Sequence, residues 1–116
     1  MNRGPDFRVT ERPSGEAVTV EGELTEANAG EFERRMNELV RKPRREITLD
    51  LHGLDIEDGV ALATFINSLR ALRAGGARIV IKGAPQMLGH NLYRVGLLDD
   101  RAVTLVDMRR DEPSGI

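Results

Sequence analysis

Two hydrophobic periodicities alternate along this chain, and their order leaves few folds open. Ala17 to Leu24 alternates with a period of two, Val18, Val20 and Gly22 facing one way and Thr19, Glu21 and Glu23 the other. Phe7 to Arg12 alternates similarly, and the turn cluster Pro13-Ser14-Gly15-Glu16 between the two segments predicts an antiparallel hairpin. Ala29, Phe32, Met36, Leu39 and Val40 then follow helical spacing. They predict an amphipathic helix from about Glu26 to Val40, with Thr25 as N-cap, Asn28 in the capping-box place and Pro43 closing it. Glu46 to Leu51 returns to the strand pattern, with Ile47, Leu49 and Leu51 on one face.

A second helix is predicted to start at an Asp58 cap, to bury Leu62, Phe65, Ile66, Leu69 and Leu72, and to stop at Gly75-Gly76. Arg78 to Lys82 carries the run Ile79-Val80-Ile81, which suits a strand covered on both faces. Pro85 opens a short helix to about Val95, with Gly89 as a weak point, and Val103 to Val106 is the last strand. The order β-β-α-β-α-β-α-β is a hairpin followed by three crossovers, each expected to be right-handed. The expected fold is α/β, a mixed sheet of four or five strands with three helices packed on it and Phe32, Met36, Phe65, Ile66 and Leu69 between the layers. The length of 116 residues suits one domain, with a core over about 7–107 and a polar tail, 108–116, expected to fray. No internal repeat and no linker divides it.

Composition removes several function classes. The chain is 40% hydrophobic and 31% charged, as globular proteins are, and its net charge of −2 offers no excess of positive charge for nucleic acid. With no Trp, one Tyr and three Phe it lacks platforms for stacking bases. The absence of cysteine excludes disulfides, thiol catalysis and thiolate metal sites. No apolar run is long enough to span a bilayer, and MNRGPDFRVT has no hydrophobic core of a secretory signal, so a cytoplasmic protein is expected.

The segment Leu49 to Leu62, LDLHGLDIEDGVAL, runs from a strand through a carboxylate-rich loop into a helix. It resembles the signature of the STAS domain, the module of bacterial anti-sigma-factor antagonists, in which a strand near LDLSGV is followed by D-S-S-G-L opening a helix. Asp50, Leu51, Gly53 and Leu54 fit the strand and its exit, Asp58 the motif aspartate and Leu62 the closing leucine. Gly22-Glu23-Leu24, Gly75-Gly76-Ala77-Arg78 with Ile79-Val80-Ile81 and Gly83, and Gly96-Leu97 resemble further family segments in the same order, so the likeness spans about Val18 to Val106.

The resemblance implies a STAS-like fold and a non-enzymatic module that docks on a protein. That partner would be an anti-sigma-factor serine kinase of GHKL type or, alternatively, the ATPase of a phospholipid-transport ABC system. It implies no cofactor, and either a monomer or a homodimer fits. Two departures stand out. The family usually adds a fourth helix, whereas ten residues follow Val106. The phosphoacceptor serine is replaced by Gly59, and the next two positions hold Val60 and Ala61, so the phosphate that would drive the partner off has no hydroxyl to attach to.

The residues expected to meet a partner are Asp55, Glu57, Asp58, Gly59, Val60, Ala61, Thr64 and Ser68. Asp55, Glu57 and Asp58 could imitate a phosphoserine or hold a cation, but capping of the second helix by Asp58 is the favoured reading. Ala61, Thr64, Ser68 and Ala71 form a stripe of small residues that would let a partner approach closely, and Thr64 or Ser68 is a candidate displaced phosphosite. His52 and His90 lie in different elements without a Ser, Cys or carboxylate at an interpretable spacing, so neither is assigned to catalysis or metal. The basic run Arg41, Lys42, Arg44 and Arg45 is expected to be a solvated loop, and Gly83-Ala84-Pro85 lacks the G-K-[ST] of a phosphate loop.

Overall fold

A computed structural model describes residues 6–99 and 101–109. Strand β1 (Phe7–Glu11) pairs antiparallel with β2 (Ala17–Leu24). There follow α1 (Ala29–Val40), β3 (Glu46–Asp50), β4 (Leu54–Ile56), α2 (Gly59–Ala74), β5 (Arg78–Lys82), α3 (Gln86–Arg94) and β6 (Val103–Val106). The sheet order is β1-β2-β3-β5-β6, and every pair beyond the hairpin is parallel. The hairpin, the three parallel connections and the three helices are as expected.

The sixth strand is a correction. Leu54–Ile56, expected as loop, pairs in parallel with Gly22–Leu24 of β2. The reason lies in β2, which is longer than β3 can cover: it pairs β3 through Ala17–Thr19 and leaves its last residues open. The chain turns at 51–53, where the Leu54 N–H donates to Leu51 O at 3.0 Å, and then fills that edge.

Parallel strands added always on the same side, with crossovers of one hand, place every helix on one face. Burial follows that rule. Val18, Leu49 and Ile81 stand in register, as do Ile47, Ile79 and Val103. All are at most 2% exposed. On the other face Ala17, Thr48 and Val80 are half-buried and Thr104 is exposed. β5 is therefore covered on one face only, contrary to expectation; Val80 extends the apolar run because valine suits a half-exposed pleated surface.

Between sheet and helices, the Phe65 ring of α2 stacks on Phe32 of α1 with centroids 5.4 Å apart and planes 15° apart. Phe7 of β1 meets Phe32 edge-on at 5.6 Å. Met36, Leu69, Phe32 and Phe65 are fully buried, and Ile66 is nearly so.

The start of α1 is also corrected. Residues 25–28 form a turn and the helix begins at Ala29, with Asn28 rather than Thr25 at the cap position. Asn28 Oδ1 accepts from the Thr25 N–H at 2.8 Å and its Nδ2 donates to Glu23 O at 2.9 Å. An amide side chain that both donates and accepts ties the strand exit to the helix in a way a threonine hydroxyl does not. At the opposite end, half of the basic run is structural. Lys42 Nζ pairs with Glu11 at 2.9 Å, and the almost buried Arg44 donates to Gly15 O and Leu39 O. These contacts hold the hairpin against the α1–β3 connection.

Three stability predictions follow from this packing. Phe65→Ala should lower the unfolding free energy by about 3–5 kcal/mol in urea denaturation, the usual cost of removing a buried aromatic ring. Gly22 has φ +104°, and a Cβ there would overlap Asp6 O and lie 2.8 Å from Phe7 Cα. Gly22→Ala should therefore destabilise by more than about 1 kcal/mol through backbone strain and collision with β1. The same substitution at Gly59, where a Cβ meets nothing within 4 Å, should leave the midpoint almost unmoved.

Candidate functional site

Because the parallel strands all end at one edge of the sheet, the helices that follow them begin there. That edge gathers the turn before α1, the β3–β4 turn, the amino end of α2 and the segment after β6. Asp58 organises it. Its Oδ1 accepts from the Ala61 N–H at 2.9 Å and its Oδ2 from the Glu26 N–H at 2.8 Å, so one carboxylate caps α2 and grips the approach to α1. These backbone donors, Ala61 first and Glu26 second, hold its carboxyl below the ordinary aspartate range. Beside this anchored residue, Gly59 is exposed and Val60 is 49% exposed.

The other predicted partner residues divide. Asp55 and Glu57 are exposed, Asp55 on β4 and Glu57 after it with its N–H donating to Leu24 O. With Asp58 bound to backbone, the three acids do not converge, and among the described residues no group of three His, Asp or Glu is placed to hold a metal. Ala61 and Ser68 are buried, at 0% and 5% exposure, which corrects their placement on an accessible stripe. α2 packs against α1 as well as the sheet, so its buried arc is wider than the Leu62–Leu72 spacing indicated. Thr64 stays half-buried and donates its hydroxyl to Val60 O at 2.9 Å, while Ser68 Oγ is buried without a hydrogen-bond partner among the described residues.

The same edge holds a cluster that the sequence did not reveal. The His52 N–H donates to Asp50 Oδ1 at 3.1 Å, its ring Nδ1 lies 2.8 Å from the same oxygen, and Nε2 lies 3.3 Å from Asp107 Oδ2. The absence of a carboxylate partner for His52 is therefore corrected. Asp50 stands two positions away, a spacing visible in the sequence, whereas Asp107 arrives only through the fold. Gly83 makes room for the ring, since a Cβ there would lie 2.5 Å from two ring carbons.

Arg109 completes the clasp. Its N–H donates to Ala84 O at 3.0 Å, Nη1 donates to His52 O at 3.1 Å and Nη2 to Leu54 O. Arg109, expected in a frayed tail, is thus tied to the strand exits; the rest of that tail, from 110 on, lies outside the described residues. His90 is exposed on α3, apart from this cluster.

A hairpin followed by three one-way crossovers, with a capped helix amino end at the strand exits, defines the class of this chain. The family model described as "Mlab, STAS domain" matches residues 7–107, and the chain belongs to the STAS domain family. Among solved structures it is similar to the Bacillus cell fate determinant SpoIIAA in its phosphorylated form, with 16% identity, 86% of this chain and 90% of that chain covered, and a TM-score of 0.64. A putative anti-sigma factor antagonist from Thermotoga maritima gives 20% identity, coverage of 90% and 86%, and a TM-score of 0.60. The STAS domain of a SulP transporter from Vibrio cholerae gives 20%, 83% and 77%, and 0.52. These likenesses show the fold. Comparison with the curated proteins found no match.

The clasp has a pH signature. The hydrogen bond to Asp50, with the charges of Asp50 and Asp107 behind it, raises the His52 pKa above the ordinary 6.5. The His52 N–H and ring together hold Asp50 below its ordinary 3.8. A raised histidine pKa means the folded state binds the proton more tightly, so the stabilisation is complete below about pH 6.5 and lost as pH rises through the folded value. The difference in urea midpoint between wild type and His52→Gln should accordingly shrink across that window. A difference that stays constant with pH would mean the ring contributes packing alone.

Proposed function

We propose that this chain is a non-enzymatic regulatory module that acts by docking on another protein through the β3–β4 turn and the amino end of α2, as an anti-sigma-factor antagonist does. The observation that carries this reading is Gly59, exposed beside the Asp58 anchor, with open space where a side chain would stand and no hydroxyl to phosphorylate. Asp55, Glu57, Val60 and the accessible side of Thr64 supply the rest of the surface. The partner is a kinase-like anti-sigma factor of GHKL type, in the cytoplasm. Release is not governed by phosphate at position 59; it depends on the partner's concentration or nucleotide state.

A second reading is favoured by one observation, the Mlab description carried by the family model that matches residues 7–107. In it the chain is an accessory subunit of a phospholipid-transport ABC system and the same edge docks on the ATPase. Calorimetric titration of the purified chain against each purified partner class separates the two.

With the partner that binds, Gly59→Glu should weaken affinity by on the order of tenfold or more, because it places bulk and charge in the docking surface. Gly59→Ser should leave affinity near wild type until a kinase partner and ATP are added. Equal affinities for wild type and Gly59→Glu would move the docking surface elsewhere.

A further inference from the structure

The two outer strands of the sheet are finished differently. β1, at one end, carries Arg8 and Glu11, and Arg35 Nη2 donates to Val9 O at 3.4 Å, so charge and a side-chain donor guard that edge. β6, at the other end, reads Val103-Thr104-Leu105-Val106 and bears neither charge nor proline. On its inner side the Ile79 N–H donates to Ala102 O at 2.7 Å and the Gly83 N–H to Val106 O at 3.2 Å. The even-numbered residues therefore face β5, and Val103 and Leu105 turn their N–H and C=O groups to the outer edge. No strand of the described residues lies beyond it.

The surroundings of this edge are apolar. Met108, just after the strand, lies over Gly89 of α3: a Cβ on Gly89 would stand 2.5 Å from Met108 Sδ and 3.3 Å from Leu105 Cδ1. Tyr93, one turn on from Gly89, shares that side of the helix and is 73% exposed, and Met108 is 44% exposed. An unguarded strand edge flanked by exposed apolar side chains suits the addition of another strand. The charges at its two ends say which strand. Arg101 precedes β6 and Asp107 follows it, both exposed, with Thr104 midway between them. Asp107 meets His52 through Oδ2 and its side chain is still 75% exposed. Turned antiparallel about Thr104, the segment is its own complement: Val103 falls opposite Leu105 of a second copy, and Arg101 opposite Asp107. A parallel copy would instead set like charges side by side.

We propose that β6 is a self-association edge, on which a second copy of this chain adds its own β6 antiparallel about a two-fold axis at Thr104. In this register each Val103–Leu105 pair exchanges both of its backbone hydrogen bonds, and the two Thr104 side chains stand opposite one another on the open face of the sheet. The axis runs perpendicular to the sheet, so the helices of both copies lie on the same side. There Leu105, half-buried in one copy, is covered by the other, and Tyr93 and Met108 border the seam. The pairing is isologous and uses both β6 edges, so with β1 guarded it closes at a dimer. Asp55, Glu57, Gly59, Val60 and Thr64, assigned to partner docking, take no part in it.

A seam this short makes a weak dimer, so sedimentation velocity of the whole chain should show a monomer–dimer equilibrium at concentrations up to about 1 mM. Amide hydrogen exchange should slow with concentration at Val103 and Leu105 and stay unchanged at Gly59, a readout that needs no variant. Arg101→Asp and Asp107→Arg, each checked for folding by circular dichroism, set like charges opposite one another. Each should weaken self-association by about tenfold or more. Mixed in equal amounts, the two variants restore both opposite-charge pairs and should associate with each other at near wild-type strength, a rescue that a merely structural role would not produce. A chain that stays monomeric at about 1 mM overturns the proposal, even if its β6 pairs with a strand of a different protein. So does a dimer indifferent to both variants, a mixture of the variants that fails to associate, or exchange at Val103 and Leu105 that does not depend on concentration.

Discussion

Three crossovers of one hand, taken always in the same direction across a parallel sheet, govern everything else in this molecule. They put α1, α2 and α3 on one face and leave the other face to small, β-branched and charged residues such as Ala17, Thr48, Val80, Arg78 and Lys82. They also line up the helix amino ends along one edge and the carboxyl ends along the other. The side chains answer that polarity. Asp58 caps the amino end of α2, while Arg73 and Arg94 occupy the last turns of α2 and α3.

The edge proposed for docking is held by long-range backbone contacts more than by its own loops. Asp58 reaches Glu26, Arg109 reaches His52 and Leu54, and Gly22 N–H reaches Gly53 O at 2.9 Å. Each contact joins segments far apart in sequence, so the fold itself orders the edge. Beneath it the stacked Phe32 and Phe65 rings fix α1 against α2.

Much of the fold was legible because its signals are local and repeated. Val18 and Val20, Phe32 and Met36, and Phe65 and Leu69 each announce a face through their spacing, and Asp58 announces a cap through its place before an apolar run. The site was legible in part for the same reason, since Asp58 and Gly59 lie within one contiguous segment. Ser68 and Ala61 were misplaced because a helix flanked by both a sheet and another helix buries more than the apolar stripe shows. Asn28 took the cap expected of Thr25 because its amide also had to satisfy Glu23 O.

What the sequence by itself determined is the order and kind of every element but β4, and the family they make, both of which reside in neighbouring residues and their periods. The tertiary structure decided the rest. β4 exists because β2 outruns β3, not because three residues have a strand pattern of their own. The His52 clasp needs Asp107, which stands 55 residues further on. Pairing, burial and charge convergence across such separations depend on where the sheet carries each segment, and no local spacing records that.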